Sequence, residues 1–207
     1  MPHLYAMPGS GNSYKVQLLA ALIGIKLDQT NMSALDGSTK SETYLQKNAI
    51  GKLPLLQLDD GRYLPESGAI LNFLAEGTDF LSSDRYQRAL CLSWMFFEQY
   101  SHEPTIAVSR SINLYPERAA GITEEFKQSL FEKGNIALGV METQLAKTPY
   151  LVGELPTIAD IALYAYTHDC HQGGFNLERF PGISAWINRI ASLPRYMTMP
   201  SGNHQKK

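Results

Sequence analysis

The segment Ser10–Lys15 stands between a short apolar run, which predicts a strand, and a helical pattern. The first residues of a helix have backbone N–H groups without intrahelical partners and a partial positive charge, so this position suits an anion or a thiolate. The hydroxyl of Ser10 could donate a hydrogen bond to such a group, and Asn12 follows two residues later. The same residue types also make an ordinary turn and helix cap, and in isolation that interpretation is favoured.

A second candidate segment is Asn48–Pro54 (NAIGKLP), which places a proline at the start of an apolar strand. Proline cannot donate to a strand ladder, so its position there needs a reason. One reason is a cis Leu53–Pro54 peptide bond that leaves the N–H and C=O groups of Leu53 available to a peptide-like ligand by strand addition. The alternative is an edge strand whose proline discourages aggregation, and both interpretations stay open.

The third candidate segment is Glu66–Ser67, at the start of another helical pattern. There, donors and a carboxylate could hold the α-carboxylate and the α-amine of an amino-acid-like ligand. The alternative is again a simple N-cap.

The elements that must position these residues form a small mixed sheet with helices on its faces. Alternation and turn signals predict strands over His3–Ala6 and Leu27–Met32 and a hairpin of Leu53–Leu58 with Arg62–Leu64. Helical spacing predicts a helix capped by Asn12 or Ser13 and ended by Gly24, a short helix over Ser41–Gln46 and a helix over Ser67–Ala75.

Beyond a turn-rich linker at Gly77–Ser83 the pattern becomes entirely helical, which predicts domains over residues 1–77 and 84–207. The second domain is expected to contain helices over residues 84–110, 123–147, 157–172 and 183–193. Thr157 and Asp160 have the spacing of a capping box, which predicts a structural rather than a catalytic role for Asp160. The predicted fold class is an α/β N-terminal domain followed by an all-α helical bundle.

Composition excludes several classes of function. Hydrophobic residues make up 44% of the 207 residues and charged residues 18%, which is ample for a core. The net charge of −2 argues against nucleic acid as the main partner, and no apolar run reaches the length of a membrane span.

The cysteines and the N-terminus predict the cellular location. Cys91 and Cys170 make neither a disulfide framework nor a redox pair, and the N-terminus lacks the pattern of a secretory signal. A cytoplasmic location is therefore expected. His168 and His171, with Cys170 between them, have no fourth ligand nearby, so no metal is expected.

Together and in this order, the three segments resemble the glutathione transferase family. Its thioredoxin-like N-terminal domain has a catalytic residue after the first strand, a proline loop of the form N-x-x-G-K-[VL]-P, and E-S at the start of the third helix. The resemblance continues at Leu151–Asp160, which is similar to the capped core helix of the family. It implies a thioredoxin-like glutathione-binding domain over residues 1–77 and a helical domain over residues 84–207 that contributes the pocket for a hydrophobic electrophile.

The resemblance also implies which residues act. Serine-type members, such as the theta and zeta classes, have their serine six residues before the helix valine Val16, which makes Ser10 the catalytic residue. The segment is similar to the nu-class pattern [ST]-P-N-x-x-K as well, with Gly11 in place of its proline, which implies that Asn12 contributes to the thiol site. Tyrosine-type members would have their tyrosine at Ala6.

The glutathione contacts follow from the same resemblance. Lys40 and Lys52 match basic residues that hold the glycine carboxylate, while Thr39 stands where theta enzymes have histidine. The backbone of Leu53, beside Pro54, would bind the cysteinyl part. Glu66 and Ser67 would hold the γ-glutamyl end.

The resemblance implies a cytoplasmic, homodimeric detoxification enzyme that uses glutathione as co-substrate and needs no metal. The N-terminal domain of one chain would pack against the helical domain of the other. One alternative is a glutathione-dependent disulfide or peroxide reductase of the same fold, which the similarity of Asn12 to the nu class keeps open. Another is a non-catalytic transferase-like module, which has no physical need for Ser10, Pro54 and Glu66–Ser67 together.

Overall fold

The computed structural model describes residues 1–202, which divide into two compact units. The first unit contains Met1–Thr78 and the described residues from Leu193 onward, and the second spans Asp79–Ser192. A mixed sheet with helices in the first unit and a helical second unit confirm the predicted fold class.

The first unit follows the predicted order of elements. These are β1 (His3–Ala6), α1 (Gly11–Ile23), β2 (Asp28–Asn31), a 3-10 turn (Ser38–Lys40), α2 (Glu42–Leu45), β3 (Leu55–Gln57), β4 (Tyr63–Pro65) and α3 (Ser67–Ala75). The strands form one sheet in the order β2-β1-β3-β4. Strand β1 pairs parallel to β2, as the intervening helix α1 requires, and antiparallel to β3, which forms the predicted hairpin with β4.

Helix α1 begins earlier than predicted, because the cap is Ser10 and not Asn12 or Ser13. Ser10 has an extended backbone (φ −84°, ψ 123°), and its hydroxyl oxygen accepts a hydrogen bond from the backbone N–H of Ser13. The hydroxyl of Ser13 instead accepts from the backbone N–H of Met7, at 3.0 Å, and so secures the end of β1. The helix ends as predicted at Gly24, whose φ of 76° lies in the left-handed region that favours glycine.

The second unit is helical throughout its described elements. These are α4 (Arg85–Phe97), a π-type segment (Glu98–Ala107), α5 (Val108–Leu114), α6 (Pro116–Ala119), α7 (Glu124–Leu145), α8 (Ile158–Thr167), 3-10 turns (Cys170–Gly173 and Leu177–Arg179) and α9 (Pro181–Ala191). The helix predicted over residues 84–110 is therefore interrupted around Pro104, which lacks the N–H that a regular helix needs there. The short helix α6, which begins at Pro116, was not predicted.

Asp160 is fully buried and lies at the centre of the second unit's core. One carboxylate oxygen accepts from the backbone N–H of Leu151 and from the indole N–H of Trp186, each at 2.9 Å. The other accepts from the backbone N–H and the hydroxyl of Thr157, at 2.8 and 3.0 Å. Burial raises the pKa of Asp160, and these donors act in the opposite direction. The capping box is confirmed, and Asp160 also ties the start of α8 to α9.

The chain from Leu193 packs in the first unit, so the second unit is shorter than the domain expected over residues 84–207. The buried hydroxyl of Tyr14 donates to the carbonyl of Met197 at 2.6 Å, and the N–H of Gly9 donates to the carbonyl of Pro200 at 2.9 Å. The guanidinium of Arg195 lies against Gly24, where a β-carbon would collide with it. These contacts depend on tertiary structure, and the residues after Leu193 have no periodic pattern that could indicate them.

Candidate functional site

Ser10 lies between β1 and α1, half-buried, with its hydroxyl at the helix start. Its oxygen accepts from the N–H of Ser13 at 3.4 Å, which leaves the hydroxyl hydrogen able to donate to an anion. The location therefore combines one hydroxyl donor with the positive end of a helix of 13 residues.

Asn12 links the starts of α1 and α3. Its Oδ1 accepts from the ammonium of Lys15 at 2.7 Å and from the hydroxyl of Ser67 at 3.3 Å. Lys15 and Ser67 are both buried, with 1% and 5% of their surface exposed. The structure thus brings Asn12 and Ser67, two of the residues predicted for the site, into one cluster.

Lys15 belongs to this cluster although sequence reasoning assigned it no role. The signal was present, because a lysine three residues after Asn12 shares its helix face and is part of the nu-class pattern. Its burial could not be predicted, since lysines are almost always exposed.

Glu66 has a strained backbone directly before α3. Its φ of 71° and ψ of 120° are rarely adopted by a residue with a side chain, and strain of this kind is concentrated at functional sites. The side chain of Glu66 is exposed and does not cap α3. The carboxylate is therefore presented to solvent beside the buried Ser67.

The loop Asn48–Pro54 is held in shape by its own side chains. The amide of Asn48 donates to the carbonyl of Lys52 at 2.9 Å and accepts from the N–H of Ile50 at 3.1 Å. The hydroxyl of Tyr44 also donates to the carbonyl of Lys52, at 2.7 Å. The Leu53–Pro54 peptide bond is cis, which agrees with the first of the two interpretations of this proline.

The two lysines predicted to contact glutathione are exposed, Lys52 within this loop and Lys40 beside it. The ammonium of Lys40 donates to the carbonyl of Ile50 at 3.3 Å, so it lies over the loop. Thr39 is buried, with 2% exposed, and so takes a place in the core and not at the surface.

Tyr5 and the two cysteines are not suited to this chemistry. Tyr5 is on the other face of β1 from the buried Leu4 and Ala6, and its hydroxyl accepts from the ammonium of Lys47 at 3.1 Å. Cys91 and Cys170 are buried and free, and burial raises the pKa of the Cys170 thiol to about 12. Neither thiol is suited to act as a nucleophile.

Two structural findings concern metals and membranes. Within residues 1–202, no three His, Cys, Asp or Glu side chains lie close enough together to hold a metal ion. Over the same residues, no helix combines the length and the apolar character needed to cross a bilayer.

Residues 2–76 match the family model of the glutathione S-transferase N-terminal domain, and residues 96–194 match that of the C-terminal domain. The chain is 34% identical over 178 residues to glutathione S-transferase F13 of Arabidopsis thaliana, covering 79% of this chain and 78% of that protein. It is also 29% identical over 170 residues to elongation factor 1-gamma 3 of Oryza sativa subsp. japonica. That match covers 77% of this chain but only 38% of the longer relative.

Among solved structures, a glutathione S-transferase from Pseudomonas fluorescens Pf-5 is 50% identical, with a TM-score of 0.91. The match covers 96% of this chain and 98% of that chain. A glutathione S-transferase from Xanthobacter autotrophicus Py2 is 43% identical, with a TM-score of 0.91 and 97% of each chain covered.

Proposed function

The chain belongs to the glutathione S-transferase family, and we propose that it activates the thiol of glutathione for attack on a hydrophobic electrophilic small molecule. The observation that carries this proposal is the cluster at the start of α1, where Ser10 caps the helix and Asn12 accepts a hydrogen bond from Ser67 at the start of α3. The thiolate would form a carbon–sulfur bond with the electrophile. The displaced electron pair would leave with a leaving group or move into a conjugated system.

Simple energetics support thiol activation by these groups alone. A thiol with a pKa of about 8.5 is only a few per cent ionised at neutral pH, and lowering that pKa by about two units requires roughly 2.7 kcal/mol. A hydrogen bond to a charged acceptor contributes roughly 1.5–3 kcal/mol, and a helix start adds about 0.3–1 kcal/mol. The hydroxyl of Ser10, assisted by Asn12 and the start of α1, is therefore sufficient in principle.

The remaining parts of glutathione would be held along the same unit. In this proposal Lys40 and Lys52 bind the glycine carboxylate, the backbone of Leu53 beside Pro54 binds the cysteinyl part, and Glu66 with Ser67 binds the γ-glutamyl end. The exposure of both lysines near the loop, the strained backbone of Glu66 and the burial of Ser67 support this assignment. We further propose a cytoplasmic homodimer that acts in detoxification.

Two other functions have specific support. The similarity of Asn12 and Lys15 to the nu-class pattern favours a glutathione-dependent disulfide or peroxide reductase, in which two glutathione molecules supply the two electrons and become glutathione disulfide. The similarity to elongation factor 1-gamma favours a non-catalytic module.

Calorimetric titration with reduced glutathione, glutathione disulfide and S-hexylglutathione tests the proposal. A transferase binds the reduced form and the S-hexyl conjugate and turns over a model electrophile such as a halonitrobenzene. Preferential binding of the disulfide, with reduction of a model disulfide in place of conjugation, would assign the reductase function. Failure to bind any of the three ligands would favour the module.

A further inference from the structure

We propose that Lys15 is a positioning residue that sets the orientation of the Asn12 carboxamide for the thiol of glutathione. The inference rests on the proposed function and adds to it a residue that does not touch the substrate. It depends on three side chains of the first unit: Lys15, Asn12 and Ser67.

The first step is the burial of Lys15. Only 1% of its surface is exposed, and a buried ammonium is costly unless acceptors surround it. Asn12 provides one such acceptor, because its Oδ1 receives the ammonium at 2.7 Å, a distance typical of a charge-assisted hydrogen bond. The three-residue spacing places the two side chains on one face of α1.

The second step is the orientation that this bond imposes on Asn12. Its Oδ1 accepts from Lys15 and also from the hydroxyl of Ser67, at 3.3 Å. Rotating the carboxamide by half a turn would point its NH2 group at an ammonium, which has no acceptor. Lys15 therefore favours the orientation of the Asn12 carboxamide in which Oδ1 faces Lys15 and Ser67 and the Nδ2 hydrogens point away from these two side chains.

The third step is the consequence for a thiolate. In the proposed site the Nδ2 hydrogens of Asn12 would donate to the sulfur of glutathione, and donors of this kind favour the charged form of a thiol. In the rotated orientation the carbonyl oxygen would take their place and repel the thiolate. Loss of Lys15 should therefore raise the pKa of bound glutathione by acting through Asn12, without removing any glutathione contact.

A double-mutant cycle tests this inference with the full-length protein saturated with glutathione. Lys15→Met keeps the length of the buried side chain and removes its donor. The thiolate absorbance titration should then show the pKa of bound glutathione raised by about one unit, similar to the shift in Asn12→Ala. The Asn12→Ala/Lys15→Met double variant should show no further shift, because positioning requires the side chain that is positioned. Lys26→Met, which alters an exposed lysine of the same unit, is the matched control and should leave the titration unchanged.

Ser67→Ala gives a second reading if Lys15→Met does not fold. It removes the other donor to Oδ1 and should raise the pKa of bound glutathione by a smaller amount in the same direction. Additive shifts in the double variant would show that the charge of Lys15 acts on the thiol directly, which would overturn the positioning role. Unchanged titrations in both Lys15→Met and Ser67→Ala would also overturn it. If the positioning role of Lys15 fails but the wild-type protein binds glutathione and lowers the pKa of its thiol, the proposed function still holds. A wild-type protein that does neither refutes the proposed function and the positioning role together.

Discussion

Ser10 and Asn12 share the start of α1 but are held in different ways. The hydroxyl oxygen of Ser10 accepts from the N–H of Ser13 in the same helix, while Asn12 is connected to Lys15 and to Ser67 of another helix. Both side chains can donate to a sulfur, so what has to be measured is how much each lowers the pKa of the thiol. It is answered by the thiol pKa in single variants.

We expect Ser10→Ala to raise the pKa of bound glutathione by about one to two units, the equivalent of one charged hydrogen bond of roughly 1.5–3 kcal/mol. The thiolate absorbance titration measures this shift directly. Turnover at neutral pH should fall, while affinity for glutathione should change less, because the contacts proposed for its two ends remain.

Asn12→Ala separates the two family patterns in the same titration. A smaller shift than in Ser10→Ala is expected if Asn12 supports a serine-type site. A shift in Asn12→Ala with none in Ser10→Ala would contradict the assignment of Ser10 and favour the nu-class pattern.

For single residues, the sequence indicates which side chains could act and in which order they occur, but not which of them are buried. Ser10, Asn12 and Glu66–Ser67 stand at helix starts, where local chemistry indicates a role. The contact between Asn12 and Ser67 joins residues 55 positions apart, and the burial of Lys15 depends on what packs around it. Neither follows from a pattern within one helix.

The elements of the first unit are well predicted because each has a local signal. Gly24 ends α1, Ser41 caps α2, and the turn at Asp59–Gly61 joins β3 to β4. The predicted start of α1 was wrong because Ser10, Asn12 and Ser13 are all good caps. In the structure the hydroxyl of Ser13 accepts from Met7 and the Oδ1 of Asn12 accepts from Lys15, and Ser10 caps the helix.

Asp160 provides a prediction at the scale of elements, since it connects α8 to α9 and to the preceding loop. Asp160→Ala leaves three buried N–H groups and the hydroxyl of Thr157 without their acceptor; the N–H groups are those of the Leu151 backbone, the Thr157 backbone and the Trp186 indole. Each unsatisfied donor costs about 1–3 kcal/mol, so we expect the free energy of unfolding to fall by at least about 3 kcal/mol. Urea denaturation followed by tryptophan fluorescence measures the loss.

The control for Asp160→Ala is Asp79→Ala, which alters an exposed aspartate of the same unit. It should change the free energy of unfolding by no more than about 0.5 kcal/mol. Equal effects of the two substitutions would contradict a core role for Asp160.

The C-terminal segment gives a second prediction at this scale. Tyr14→Phe removes the donor to the carbonyl of Met197, and we expect it to lower the free energy of unfolding by about 0.5–1.5 kcal/mol. Amide hydrogen exchange should accelerate in residues 193–202, because this bond anchors them to α1. Tyr86→Phe, at a side chain 67% exposed, is the control, and equal exchange in both variants would argue against the anchor.

At the scale of the whole molecule, the resemblance to the family and the apolar surface of the second unit both favour a homodimer. Tyr86, Phe96 and Tyr100, on α4 and the π-type segment after it, are 67%, 64% and 86% exposed. Aromatic side chains are enriched at protein interfaces, so these exposed rings favour an interface on this part of the unit.

We therefore expect light scattering to give twice the mass of the chain at micromolar concentration. Replacing both Phe96 and Tyr100 by glutamate should yield the mass of one chain, because burying two carboxylates in an apolar interface costs more than the contact returns. Leu155→Glu is the matched control, since Leu155 is 65% exposed in the same unit but lies far along the chain from α4, and it should leave the mass unchanged. A wild-type protein that stays monomeric at micromolar concentration would refute the homodimer. A protein that remains dimeric with both glutamates would show that the interface lies outside α4 and the π-type segment.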